Sequence, residues 1–99
     1  MAKKRAIHQD FYVYELIDPR NNQVFYVGKG RGKRISQHVR LVLASKADNQ
    51  AKCTRIIEIH KSSHKVIEHK VAEGLKEPEA LDLERQTIAK YSNLTNITE

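Results

Sequence analysis

The sequence predicts an α+β fold: a small, mainly antiparallel three-stranded sheet flanked by helices, in the order ββααβα. Three observations carry this. Two runs rich in aromatic and β-branched residues, Phe11 to Ile17 and Val24 to Val27, are separated only by turn-forming residues. Two stretches with apolar residues at helical spacing follow, then a third β-prone run and a last amphipathic segment. At 99 residues, 39% hydrophobic and 30% charged, the chain suits one soluble globular domain with a single modest core.

Residues 1–9, with Lys3, Lys4 and Arg5, read as a basic flexible arm ahead of a domain over 10–99. In the first strand Tyr12, Tyr14 and Leu16 face one way, and Phe11, Val13, Glu15 and Ile17 the other. Asp18-Pro19-Arg20-Asn21-Asn22 is turn chemistry, Pro fixing φ and Asn tolerating a left-handed backbone. In the second strand Val24, Tyr26 and Gly28 are expected on one face. For Tyr14 and Tyr26 to meet, the hairpin needs an even register or a bulge. Gly28, Gly30 and Gly32 then make a bend whose missing side chains let a ligand come close.

A helix is expected from Lys33 to Ser45, with Ile35, Val39, Val42 and Leu43 inward. Asp48 or Asn49 would cap a second, Gln50 to Lys61, burying Cys53, Ile56, Ile57 and His60. Lys65 to Ala72 reads as the third strand, closed by Gly74. Pro78 fits the first turn of a last helix, Glu77 to Tyr91, with Leu81, Ile88 and Tyr91 buried and Ala80 and Thr87 beside them. The tail from Ser92 is irregular or briefly extended.

Charge narrows the function. Lys and Arg number 18 against 12 Asp and Glu, a net +6, which favours a polyanionic partner, nucleic acid first. Lys29, Arg31, Lys33, Arg34 and Arg40 concentrate that charge in one stretch, as a phosphate backbone rewards. No apolar run approaches the roughly 18 residues of a membrane helix, and no apolar region follows the basic N-terminus as in a secretory signal. The single Cys53 excludes an internal disulfide and fits a reducing, intracellular (cytoplasmic) setting. Cys53, His60, His64 and His69 lack the second ligand pair that zinc requires.

Chemistry collects in few places. Arg34 and His38 are four apart and share a helix face. With Tyr14 and Tyr26 they would converge on a gap ringed by lysine, a place for a phosphate. Glu84 falls in the buried stripe of the last helix, between Leu81 and Ile88, and an inward carboxylate needs a cation or a structural salt bridge, with Arg34 as one partner. Tyr12 and Tyr91 read as core aromatics with a hydrated hydroxyl.

These residues resemble the GIY-YIG nuclease superfamily. Tyr12-Val13-Tyr14 stands at the first triplet, with Tyr12 in place of Gly, and Tyr26-Val27-Gly28 at the second; Lys33-Arg34 and His38 match the helix that follows. The resemblance runs through Glu84 and Asn96, over about the whole domain. It implies a DNA endonuclease using one Mg²⁺ or Mn²⁺ ion and leaving 5′-phosphate and 3′-hydroxyl ends. Glu84 would be the sole acidic metal ligand, Arg34 the phosphate clamp, and Asn96 a support beside the DNA. Tyr14 is the first choice to activate the water, with Lys29 and Arg34 lowering its phenol; Tyr26 would position water or phosphate, though the roles could be exchanged. His38 would bond the phosphate or orient Tyr14. The alternatives are a nucleic-acid-binding module of the same fold that does not cut, and a basic face for an acidic protein. Cutting both strands with one small site calls for a homodimer or two successive nicks. Related sequences continue with glycines past Asn96, which leaves open that the chain is cut short.

Overall fold

The computed structural model describes residues 9–43, 50–92 and 94–95. Its elements are β1 (Phe11–Asp18), β2 (Gln23–Arg31), α1 (Arg34–Leu43), α2 (Gln50–Lys61), β3 (Ile67–Leu75) and α3 (Glu77–Ile88). The three strands form one antiparallel sheet in the order β2-β1-β3. The α+β architecture and the order ββααβα are therefore as the sequence predicts. The expected arm, apart from Gln9, and the caps Asp48 and Asn49 lie outside the described residues.

The hairpin turn is built from Asp18. Its carbonyl accepts the N–H groups of Asn21 and Asn22, and Asn22 takes φ 58°, a left-handed conformation that Asn tolerates. The fully buried Asp18 carboxylate accepts from Arg20 (2.8 Å) and from Arg55 of α2 (2.8 Å), which fastens the turn to that helix. Hydrogen bonds from Arg20 and Arg55 hold the Asp18 carboxyl far below the usual carboxylate range, against the effect of burial.

The hairpin uses both devices that would bring Tyr14 and Tyr26 together. Tyr14 pairs with Gly28 and Leu16 with Tyr26, an even register, and a bulge follows between Leu16 and Ile17. The bulge corrects one expectation. The extra residue turns Phe25 onto the tyrosine face and sends Val24 to the other, so Val24 does not share a face with Tyr26.

Two clusters result, one per sheet face. Tyr12, Tyr14, Leu16 and Phe25 pack with Ile56 and Ile59 of α2; Val13 and Val27 pack with Ala80 of α3. Each large aliphatic side chain removed from water in this way contributes about 1.5–3 kcal/mol. The helices are rotated from the expected stripes. On α2 the buried residues are Lys52, Ile56 and Ile59, while Ile57 is exposed. On α3 they are Ala80 and Thr87 with Leu83 and Ile88 alongside; Leu81 is 42% exposed, and Tyr91 lies beyond the helix, which ends at Ile88. Sequence spacing marks an apolar stripe but not its centre, and α3 centres on its small residue Ala80, which lets the helix approach the sheet. Glu79 accepts the Lys76 N–H (2.8 Å) and so caps the start of α3. β3 begins two residues later than expected and runs through Gly74 (φ 71°) to Leu75.

Candidate active site at the outer edge of β2

β2 is an edge strand, and Gly28, Lys29 and Gly30 lie within it rather than in a bend. The chain turns only at Gly32, with φ +62°, and Lys33. This corrects the reading of the glycines as clearance for a ligand. A Cβ on Gly28 would lie 2.5 Å from the Tyr14 hydroxyl oxygen; on Gly30 it would lie 2.5 Å from Arg34 Cγ. The two glycines are seats for the phenol of Tyr14 and the stem of Arg34.

Tyr14 is 1% exposed. Its ring centroid is 6.3 Å from that of Tyr26, and its hydroxyl is hydrogen-bonded to the Arg34 guanidinium. Burial pushes the Tyr14 phenol far above its ordinary value; neighbouring Tyr26 adds to this, and Arg34 only partly opposes it. Lys29 does not serve as the expected cation for this phenol. Strand alternation turns it to the opposite face, where its ammonium bonds Glu77 of α3 (2.9 Å) and lies over the Phe11 ring.

Glu84 arrives from α3, on the other side of the sheet. Its half-buried carboxylate accepts the backbone N–H of Lys29, at the rim where the two faces meet. Desolvation raises the Glu84 carboxyl above its usual range, with Lys29 and Arg85 lowering it less. These cations, and not Arg34, are the ones that act on it. A desolvated carboxylate still short of positive charge fits a divalent ion held by one protein ligand and completed by water and phosphate oxygens. Among the described residues no group of three or more His, Cys, Asp or Glu gathers as a metal cage.

The remaining expected residues are more scattered. Arg31 lies over Phe11 and 4.0 Å from Asp10. Lys33 is exposed, and Arg40 lines a cleft of about 390 Å³ with Ser36, His60, Lys65, Val66 and Glu68. The His38 side chain and Asn96 lie outside the described residues. Beside Asn96, Thr95 gives both its N–H and its hydroxyl to the carbonyl of bulged Phe25 (2.7 and 2.8 Å).

Three features escape the sequence reading. Tyr12 is a core ring, as expected, but its hydroxyl is bonded to backbone: it donates to the Gly32 carbonyl (2.7 Å) and accepts the Ile35 N–H (3.0 Å), fixing the turn that launches α1 and Arg34. Tyr91 donates to buried Glu15 (2.6 Å), which also meets His69. Lys52, 7% exposed, places its ammonium over the Tyr26 ring at 4.5 Å from the centroid. Its position four residues before Ile56 on α2 is the one signal that could have found it.

A family model for the LEM-3-like GIY-YIG domain matches residues 11–99. No curated protein and no solved structure matches the chain. With a match over nearly the whole length, the chain belongs to the GIY-YIG superfamily as a LEM-3-like GIY-YIG domain.

Proposed function

We propose that this domain is an active DNA endonuclease that hydrolyses phosphodiester bonds with one Mg²⁺ or Mn²⁺ ion, leaving 5′-phosphate and 3′-hydroxyl ends. GIY-YIG domains are nuclease domains that use divalent metal and act on DNA. The observation that carries the reading for this chain is local: three consecutive residues of β2, Gly28, Lys29 and Gly30, lie against Tyr14, Glu84 and Arg34 in turn.

Each group has a task that its surroundings suit. Arg34, an exposed residue anchored at its stem, clamps the non-bridging oxygens of the scissile phosphate and favours the more highly charged transition state. Glu84 would hold the ion, which when bound would supply charge stabilisation at phosphorus and at the departing 3′ oxygen. One tyrosine of the Tyr14–Tyr26 pair, as its phenolate, takes the proton of the attacking water, and the other fixes the water or a phosphate oxygen. His38, four residues after Arg34 on α1, is assigned a hydrogen bond to the same phosphate. Lys29, Arg31, Lys33, Arg40 and Asn96 hold the flanking backbone, with affinity falling steeply as salt rises.

The test is nicking of supercoiled plasmid by the protein with Mg²⁺, with EDTA and as Glu84→Gln. Metal-dependent nicking that the variant loses supports the reading. Salt-sensitive DNA binding with no cleavage in any divalent metal replaces it with a binding module.

A further inference from the structure

We infer that Lys52 is a positioning residue that makes Tyr26, rather than Tyr14, the phenol that gives up its proton. This deepens the proposed nuclease reading and rests on it for its role in catalysis, but the proton release itself can be measured without cleavage.

The argument starts from an imbalance between two rings 6.3 Å apart. Tyr14 is sealed in the sheet, with Arg34 at its hydroxyl and Tyr12 edge-on at 5.9 Å. Its phenolate would sit in a desolvated pocket against a second phenol, where charge is costly. Tyr26 is only partly buried, so water reaches it, and an ammonium lies 4.5 Å above its ring. Lys52, which carries it, is 7% exposed as a residue. A lysine head removed from water is expensive unless its charge is used, and water screens it little, so its field on the phenol is strong. Lys52 is the only buried cation among the described residues.

The titratable groups facing Tyr26 are consistent with this. Tyr14 approaches from β1, Arg34 of α1 reaches that pair through the Tyr14 hydroxyl, and Lys52 comes from α2, with Cys53 of α2 packed against the same cluster. Two cations therefore flank the pair, one bonded to the sealed phenol and one lying over the accessible ring.

The reaction step balances as follows. The Tyr26 phenolate takes a proton from water as the water oxygen forms its bond to phosphorus. The bond from phosphorus to the 3′ oxygen breaks with its electron pair on that oxygen, which is protonated from solvent. Tyr26 then returns its proton to solvent. One water is consumed for each linkage cut.

The experiment is a pH titration of tyrosine Cζ resonances in ¹³C-labelled protein, with Tyr14→Phe and Tyr26→Phe for assignment. In the wild type the Tyr26 signal is expected to move at lower pH than that of Tyr14. In Lys52→Met, which keeps the length and loses the charge, the Tyr26 transition should rise by about one pH unit, and Lys52→Arg should restore it. Single-turnover cleavage near neutral pH should fall about tenfold in Lys52→Met with KM little changed, its pH profile displaced upward by the same interval. Tyr14 titrating before Tyr26 in the wild type overturns the inference without any Lys52 variant, as does a Tyr26 transition that Lys52→Met leaves in place. A wild type that shows the displacement yet cuts no DNA keeps the coupling and defeats the nuclease reading instead.

Discussion

Asp18 and Glu84 are both carboxylates withdrawn from water, one at the hairpin turn and one at the rim of β2, and their surroundings push them in opposite directions. Asp18 is saturated: Arg20 and Arg55 occupy its oxygens, and its proton affinity falls far below normal. Glu84 is desolvated and incompletely compensated, and its proton affinity rises. The first arrangement is finished and holds the fold. The second is open to a further cation and rests on the backbone of the strand whose glycines seat Tyr14 and Arg34.

Substitution should separate the two most sharply. Glu84→Gln is expected to lower single-turnover cleavage about 10³-fold while thermal unfolding stays at or slightly above wild type. Asp18→Ala should do the reverse. Removing one partner from a buried pair leaves arginines stranded, and urea unfolding should show a loss of about 3 kcal/mol with cleavage per folded molecule retained. An Asp18 variant of unchanged stability would break the comparison.

A smaller loss is expected at the glycine seats. Gly28→Ala puts a Cβ within 2.5 Å of the Tyr14 hydroxyl, so the ring must move. Cleavage should fall about 10- to 100-fold by misplacement of the ring, with DNA binding nearly unchanged. Gly30→Ala should act likewise through the stem of Arg34.

The pH dependence of stability sharpens the contrast further. The folded form of Asp18 binds its proton more weakly than the unfolded chain, so its contribution is present above the ordinary carboxylate range and is lost as pH falls below it. Glu84 has the opposite sign. Its folded carboxyl binds the proton more tightly, so its contribution is full below the ordinary range and is lost as pH rises through the elevated value. Metal-free Glu84→Gln should therefore gain on wild type in Tm as pH rises from 4 to 7, whereas Asp18→Asn should fall behind over the lower part of that range. Parallel curves would contradict the assignment.

The smallest effect expected is at Tyr12. Tyr12→Phe loses two hydrogen bonds at the turn into α1, about 1 kcal/mol each, and should loosen Arg34 enough for a few-fold loss of rate.

Much of this was legible in the chain. The periodicities at Phe11–Ile17 and in the two later helices give the element order, because burial of one face imposes them. The two aromatic triplets with Arg34 and Glu84 made the family legible, because together they resemble the GIY-YIG pattern. What was not legible depends on distance across the sheet. Gly28 and Gly30 read as a bend, since glycine marks both turns and close approaches, and only the strand pairing with Tyr14 and Tyr12 shows which applies. Lys29 read as a cation of the tyrosine site, but alternation within β2 turns it to α3. Asp18 read only as a turn residue and Lys52 carried no reading, because burial of a charge is set by partners distant in sequence: Arg55 for one, Tyr26 for the other.

The central claim is that one glutamate at the rim of β2 holds the ion that this domain needs to cut DNA. The direct measurement is single-turnover cleavage of one labelled duplex by wild type and Glu84→Gln over a shared Mg²⁺ titration. Wild-type cleavage should saturate with Mg²⁺, and Glu84→Gln should stay about 10³-fold slower throughout. Equal rates, or cleavage by wild type that is indifferent to Mg²⁺, would contradict it.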